Sequence, residues 1–539
     1  MDWNLGDILD AVAANIDGER AALVQGDRII TWREFDQRSN RVARAMIAGG
    51  LNPGDRVAFV SRNHPGYLEG LSACLKARLA HVNINYRYRA EEIGYVFKDA
   101  GVRAVFFQKE FQPQMVALRS QFPDIQQWIC IDSDDQPDSL SFEEMATQGN
   151  GTPLSIKRSG DDFLLLYTGG TTGMPKGVIW PGAKYRECQL ESPLLKSRPN
   201  NLDEHIAMLR AITSPSRLIP VCPIMHGTGL NASLAELFWG GTVVLLPSPS
   251  FNPVELWQVA AREKVNKVLI VGDVFARPML RALDEASEPY ALDALQVISS
   301  AGLIWSHDIK RGLLRHLPQL ALADNFGASE ASGLGFSITT VQQSITTGSF
   351  HAGARTVLIT DDDRILGPDQ PGEGMIARGE PLPLGYFGDP EKTASVFRYI
   401  DGARYAAPGD WARRDEQGFM QLIGRGSLVI NTGGEKVFVE EVEEALKLLP
   451  DIDDALVVGL PDEKWGSVIV ALVKSRSGGE LDKTLAHQLS SSLAGYKLPK
   501  AIFSLDILPR SDAGKGDYQT ARKIATRCMA ERETLHQQG

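Results

Sequence analysis

Cysteine is scarce: Cys74, Cys130, Cys188, Cys222 and Cys528 are the five in 539 residues. They are scattered, odd in number and form no CxxC pair, a pattern that suits reduced thiols and offers no zinc site. No apolar run approaches the length of a membrane span, and the opening MDWNLGDILD lacks the basic stretch of a secretory signal. A cytoplasmic protein without an integral membrane segment is therefore expected. Positive charge is in deficit, at a formal net charge of -11, which argues against a general affinity for nucleic acid. Any polyanionic ligand must instead meet lysines and arginines inside local motifs. Internal repeats, low-complexity segments, a nucleophile elbow and a Cys–His arrangement are all missing. The chain is too long for one core and implies several domains. A homodimer is compatible with this composition.

Residues 167–177 read YTGGTTGMPKG, after an apolar run at 163–166 of the kind that forms a buried strand. Thr168, Gly169, Gly170, Thr171, Thr172 and Gly173 leave the loop almost no core of its own. Its backbone N–H groups can converge on phosphate oxygens, the hydroxyls add donors, and Lys176 supplies charge. Met174 and Pro175 separate Gly173 from Lys176, so this is not the Gly-Lys-Ser/Thr of a Walker A loop. A surface turn accounts for the glycines but not for three hydroxyls and a lysine together.

Hydrophobic periodicity predicts alternating helices and strands. Thr31 and Glu34 form a capping box ahead of a helix with Trp32, Phe35, Val42 and Met46 mainly on one face. Strands are expected at 56–61, 103–107, 242–246 and 267–271, with helices at 67–76, 253–264 and 308–316, the pattern of parallel sheets covered by helices. Residues 359–385 read as a smaller β-rich subdomain. A boundary is expected near 424–431, followed by a compact α/β domain. Its helix carries Val442, Ala445, Leu446 and Leu449 and ends at Pro450; strands at 455–460 and 468–474, a helix near 482–493 and a frayed helical tail after Arg522 complete it.

Four more segments bear on the phosphate loop. DNFGASE at 324–330 crowds an aromatic, a glycine, a hydroxyl and a carboxylate; Phe326 could stack on a base and Glu330 could hold Mg2+ against phosphate oxygens. Asp410, in YAAPGDW, suits two ribose hydroxyls, although such an aspartate is more often a turn residue. Arg425 and Lys436 flank the expected boundary, where both could instead cap a helix or pair with the acidic run at 440–444. Lys515 lies in LPRSDAGKGDY, where a lone lysine is ordinarily solvated.

These motifs, with PIMHGTG at 223–229 and GYFGDPEKTASVF at 385–397, resemble in type and order those of the AMP-forming adenylating enzymes, from about Asp17 to Tyr518. That superfamily includes acyl-CoA synthetases, luciferases and peptide-synthetase adenylation domains. The resemblance implies an α/β multidomain fold. A large N-terminal domain (1–424) of two α/β subdomains plus a small β-barrel is joined by a hinge (425–431) to a small mobile α/β C-terminal domain (432–539). It implies that residues 168–176 hold the ATP phosphates, that Glu330 binds Mg2+, and that Ala301, Gly302, Leu303, Asn325, Phe326, Gly327, Ala328 and Ser329 border the nucleotide. Asp410 and Arg425 would hold the ribose. Thr168, Glu330, Lys436 and Lys515 would be catalytic, Lys515 stabilising the adenylation transition state. Rotation of the small domain would then bring Gly433, Gly434 and Lys436 to the coenzyme A step. Such chemistry needs positioning and cationic clamps rather than a protein nucleophile.

The acyl pocket implied by the same resemblance includes His226, Thr228, Leu230, Asn231, Asp273, Ala276 and Gly302. Asn231 stands where amino-acid-activating members carry an aspartate, so a simple acid is favoured over one bearing an ammonium. His226 could gate the tunnel or be a packed wall residue. Asp273 could bond Arg277, a substrate group, or serve as a helix N-cap. GRGS at 424–427, GDVFARP at 272–278 and GKGDY at 514–518 resemble a bacterial subgroup linked to steroid side-chain acids, whose relatives take fatty or aryl-alkanoic acids. Ser427 replaces a common hinge aspartate, which leaves the pivot open; Phe326 replaces a tyrosine, and Gly516 and Asp517 depart from Ile-x-Arg. The implied function is an ATP-dependent acyl-CoA synthetase for a hydrophobic carboxylic acid. A carrier protein or other acyl acceptor, or a non-catalytic nucleotide-binding homologue, are the alternatives.

Overall fold

The structure is a computed structural model. It describes residues 3–537 apart from 169–173, 194, 196, 304, 344–347, 361, 368–369, 426–427, 433–434, 463–465, 477–484, 491–492, 494, 511–513 and 515. At residues 425, 429, 431, 435, 436, 466, 486, 487 and 533–537 it describes the backbone only. The chain packs into two compact units, residues 1–356 with 378–406 and residues 357–377 with 407–539.

The first unit holds two sheets whose central strands run parallel. One has the order Gly385–Tyr386, Lys176–Pro181, Phe163–Thr168, Ala80–Asn83, Arg56–Val60, Val102–Phe107, Gln127–Cys130, Leu140–Ser141. It is parallel from Phe163–Thr168 outward and antiparallel at the other edge. Val82, Val105, Phe107, Trp128 and Leu165 fill one of its faces. The second runs Ser349–Ala352, Gly335–Thr339, Ala321–Phe326, Val297–Ala301, Lys267–Ile270, Arg217–Pro220, Thr242–Leu245, Ala21–Gln25, Arg28–Thr31. Ile270, Ile298 and Leu322 of its strands share one core with Trp257 and Trp305. The expected capping box is present: Thr31 Oγ1 accepts the Glu34 N–H at 3.2 Å, and Glu34 Oε2 accepts the Thr31 N–H at 2.8 Å, opening Trp32–Ala48.

The β-rich stretch expected at 359–385 does not stay together. Gly385–Tyr386 joins the sheet of the phosphate-loop strands, where the Leu384 N–H reaches Ile179 O (2.9 Å) and the Phe387 N–H reaches Gly177 O (2.8 Å). Only glycine fits at 385: its φ is +145°, and a Cβ there would lie 2.3 Å from Thr393 Cγ2.

The second unit carries a sheet ordered Ile365–Leu366, Thr356–Ile359, Gly372–Gly379, Asp410–Arg414, Phe419–Arg425. A hairpin, Val429–Thr432 with Glu435–Phe438, leads into the helix Val439–Lys447. The long antiparallel pair Ile452–Asp462 and Gly466–Ser475 gains Ala501–Ser504 as a parallel third strand. Alternate residues of this sheet serve two cores, one around Val442, Leu446 and Val457, the other around Leu456, Val470 and Leu508. The tail expected to fray is a helix from Tyr518 to Gln537. Its Ala521 and Ala525, one turn apart, are fully buried in the second core and anchor it there.

Candidate active site

Thr168 ends an apolar strand and pairs across the ladder with Lys176, so the Thr/Gly loop joins two antiparallel strands rather than a strand and a helix. That geometry agrees with the exclusion of a Walker A element. Gly169, Gly170, Thr171, Thr172 and Gly173 lie outside the described residues. Lys176 Nζ is 2.9 Å from Asp389 Oδ2, and this hydrogen bond raises the ammonium above, and lowers the carboxyl below, their ordinary values. Buried Asn83 joins two segments. Its Nδ2 donates to Tyr167 O (2.9 Å) and Met225 O (2.7 Å), while Oδ1 accepts the Tyr167 N–H (2.7 Å). The strand Phe163–Thr168 is thus tied to the turn before His226.

Glu330 follows the strand Ala321–Phe326 through a tight turn, in which Ala328 and Ala331 exchange backbone hydrogen bonds of 3.0 and 3.1 Å. Gly327 is crowded by backbone, since a Cβ would come within 3.1 Å of Gly333 N. Trp180 Nε1, on the strand Lys176–Pro181, donates to Ser329 O at 2.8 Å. The Tyr386 hydroxyl donates to Glu330 Oε1 at 2.5 Å. Loop strand, Glu330 turn and the Tyr386 strand are therefore cross-linked at three points.

The segments expected to border the nucleotide also converge. Ala301 stands opposite Asn325 in a parallel pair, and both strands end there, where α/β sheets bind ligands. Gly302 is exposed with φ +88°, a conformation that favours glycine. Leu303 is half-buried, and Phe326 packs on Phe350 at 5.5 Å between ring centroids. Asp324, at the head of the motif, is buried against Lys310 at 3.0 Å; burial raises its carboxyl while Lys310 opposes that rise.

His226 stands at the N-cap of the helix Gly227–Phe238. A Cβ on Gly227 would lie 3.8 Å from Ser329 Oγ and 3.9 Å from Leu166 Cδ1, so this helix end abuts both the Glu330 turn and the strand Phe163–Thr168. Thr228 and Asn231 are half-buried; Leu230 and Ala276 are fully buried, Ala276 in the core under its sheet. Asp273 is not the N-cap of Gly272–Asp284, a position taken by Val271. It reaches instead to the Ser306 N–H (2.9 Å), and Arg277 lies 3.5 Å away.

In the second unit Asp410 is buried and stands directly opposite Arg425 across an antiparallel pair. Lys436 pairs with Asn431 in the next hairpin. The side chains of Arg425 and Lys436, with Gly433, Gly434 and Lys515, lie outside the described residues. Arg510 grips Asp454 through two 2.6 Å bonds and donates to Gly514 O at 3.0 Å.

The donor set suits magnesium. Mg2+ in nucleotide sites takes one or two carboxylates and completes its shell with phosphate oxygens and water. Glu330 is half-buried, and with Oε1 held by Tyr386 its Oε2 is available. Among the described residues no group of three or more His, Cys, Asp or Glu could hold a metal by itself. Tyr386, Asp389, Asn83 and Trp180 were not among the expected site residues. Tyr386 and Asp389 lie in the 385–397 motif; Asn83 was signalled only as a polar residue ending an apolar strand.

Comparison with known proteins meets this geometry from outside. The AMP-binding enzyme family matches residues 10–387, and its C-terminal domain matches residues 441–515. The chain belongs to the AMP-binding enzyme family. A medium/long-chain-fatty-acid–CoA/3-oxocholest-4-en-26-oate–CoA ligase of Mycolicibacterium smegmatis is 35% identical over 97% of both chains. A 3-oxocholest-4-en-26-oate–CoA ligase of Rhodococcus rhodochrous is 34% identical over 97% of this chain and 96% of its own. ATP-bound MatB of Rhodopseudomonas palustris shares the fold of this AMP-binding enzyme, with a TM-score of 0.81 over 97% of this chain and 99% of its own at 23% identity. No helix among the described residues of the AMP-binding enzyme is long and apolar enough to cross a membrane.

Proposed function

We propose that this enzyme is an AMP-forming acid–thiol ligase that joins a hydrophobic carboxylic acid to coenzyme A, its acid a medium- or long-chain fatty acid or a steroid side-chain acid. The observation that carries the reading is the convergence of the Thr168–Lys176 strands, the Glu330 turn and the end of the Gly227–Phe238 helix. The likeness to the ligases of Mycolicibacterium smegmatis and Rhodococcus rhodochrous supports the substrate class.

In the first half-reaction a carboxylate oxygen of the acid attacks the α-phosphorus of ATP, and the bond to pyrophosphate breaks. Thr168 to Lys176 hold the β- and γ-phosphates. Ala301 to Leu303 and Phe326 border the adenine, Asn325 and Gly327 to Ser329 also line the nucleotide, and Asp410 and Arg425 take the ribose. Lys515 offsets the charge that gathers on the phosphoryl oxygens. Glu330, steadied by Tyr386, would hold the Mg2+ that neutralises phosphate charge. In the second half-reaction the sulfur of coenzyme A attacks the acyl carbon and AMP leaves, with Gly433, Gly434 and Lys436 serving this step. His226, Thr228, Leu230, Asn231, Asp273, Ala276 and Gly302 form the acyl site. Residues 425–431 are the hinge between functional domains 1–424 and 432–539. The enzyme works in the cytoplasm, and light scattering would establish whether it does so as a homodimer.

Pyrophosphate release from ATP and Mg2+ tests this across fatty, aryl-alkanoic and steroid side-chain acids, with and without coenzyme A. Turnover requiring an acid, with the thioester seen by mass, is expected. Pyrophosphate without a thioester would transfer the second step to another acceptor. No acid-dependent release would overturn the reading.

A further inference from the structure

Arg186 is 1% exposed, yet among the described residues no carboxylate pairs with it. Its guanidinium carbon lies 5.8, 5.1 and 5.5 Å from the ring centroids of Trp3, Phe238 and Trp239. Its hydrogen bonds go to two neutral groups, Gln189 Oε1 at 3.2 Å and His205 Nδ1 at 3.4 Å. Burial lowers the guanidinium to about 9, which leaves it charged at neutral pH, and lowers His205 to about 4, which leaves it neutral.

These partners fix the direction of every bond in the chain. His205 Nε2 is 2.8 Å from the Phe238 carbonyl, which only accepts, so Nε2 carries the proton and Nδ1 accepts from Arg186. A guanidinium only donates, so the Gln189 atom facing it is oxygen. The amide nitrogen of Gln189 is thereby turned to Asn231, 3.2 Å from the backbone carbonyl and 2.9 Å from Oδ1. Asn231 must show its oxygen to Gln189, so its amide nitrogen is the atom left for another partner. Asn231 is half-buried and sits one turn beyond Gly227 on the same helix face. That face is the one meeting Ser329 and Leu166.

We propose that Arg186, acting through Gln189, holds the Asn231 amide with its N–H groups towards the acyl chain, so that the site selects acids carrying an acceptor oxygen over their all-carbon counterparts. This rests on the ligase reading above. Arg186 and Gln189 are positioning residues and Asn231 makes the contact. A donor-only ammonium at the same depth finds donors facing it and is disfavoured.

The test is a series of matched acids in which one methylene is replaced by a carbonyl at successive positions, compared by kcat/KM with the plain alkanoic acid. Wild type should prefer one oxo acid by about tenfold, the scale of one neutral hydrogen bond. Gln189→Glu still accepts from Arg186 but shows Asn231 an acceptor; the amide then turns over, and preference should reverse towards a hydroxy acid. A merely structural role for Gln189 would change all the acids alike. Asn231→Asp still accepts from Gln189 and places a second acceptor at the acyl chain. It should lose the oxo preference and gain on the matched amino acid, and it reads the same orientation if Gln189→Glu fails to fold. Alkanoic acids turned over with no oxo preference in wild type would overturn the proposal and leave the ligase reading standing. An oxo preference unmoved in the folded variants would overturn it too. No activity on any acid would remove both.

Discussion

Tyr386 donates a 2.5 Å hydrogen bond to Glu330 Oε1, so the carboxylate proposed to meet magnesium is held by a phenol from another strand. Outer-shell partners of this kind are worth about 10- to 100-fold in metal affinity. Tyr386→Phe should therefore raise the Mg2+ concentration that half-saturates adenylation by about tenfold, and Glu330→Gln by more. A Mg2+ titration identical to wild type for both would take Glu330 out of the metal site. Glu443 makes a different demand. Burial pushes its carboxyl up to about 8 from an ordinary 4.5, against the opposing pull of Lys447. A raised folded value means stability that is fully present below pH 4.5 and is lost as pH climbs towards 8. Glu443→Gln keeps an acceptor for the Val457 N–H (2.8 Å) without the titration. Its Tm should gain on wild type from pH 5 to 8 and hold a constant lead above that; parallel curves would refute the shift. Thr168, Lys176 and Glu330, the residues proposed to meet phosphate and magnesium, could be singled out because each stands within a local motif. Tyr386 and Asn83 were not, because their roles come from neighbours distant in sequence.

Helices and strands were legible wherever a local rule decided them. The Thr31 box is such a case, and Thr31→Ala should cost about 1 kcal/mol, read as an earlier urea midpoint at unchanged slope. Asp273 shows where a local rule fails. Its position just after a strand suited an N-cap, but the backbone places Val271 there and sends the Asp273 carboxylate to the Ser306 N–H, at the start of His307–His316. Asp273 thus ties one helix to the first turn of the next. Asp273→Ala leaves that amide without its acceptor and should destabilise by about 1 kcal/mol, whereas Asp273→Asn, which keeps an acceptor oxygen, should lose less. Equal losses would mean that charge, not the hydrogen bond, matters at 273. The strand Gly385–Tyr386 and the buried start of the last helix escaped sequence reading for a related reason. Two residues have no period, and Ala521 and Ala525 are too small to stand out as an apolar face.

Across the whole chain, the order of the motifs was readable but the packing partners were not. Residues 357–377 join a unit with the last third of the chain, through pairs such as Gly374 with Ala412 and Met375 with Trp411. A short β-run satisfies its backbone equally well beside any strand of matching pattern, so sequence alone does not choose. The proposed chemistry divides along the chain as well. Adenylation gathers negative charge on phosphoryl oxygens, whereas thioester formation starts from a neutral thiol or its thiolate and releases AMP. A cation that serves the first step has no reason to limit the second. Lys515→Ala should cut acid-dependent pyrophosphate release by at least about a hundredfold, the usual loss on removing one electrostatic stabiliser. Thioester formation from supplied acyl adenylate and coenzyme A should stay within a few-fold of wild type. Conversely, Lys436→Ala should slow the thioester step more than pyrophosphate release. Single-turnover assays of each half-reaction separate the outcomes, because the overall rate alone reports only the slower step. If Lys515→Ala slows both halves equally, the lysine supports the fold or a shared step, and its assignment to adenylation falls.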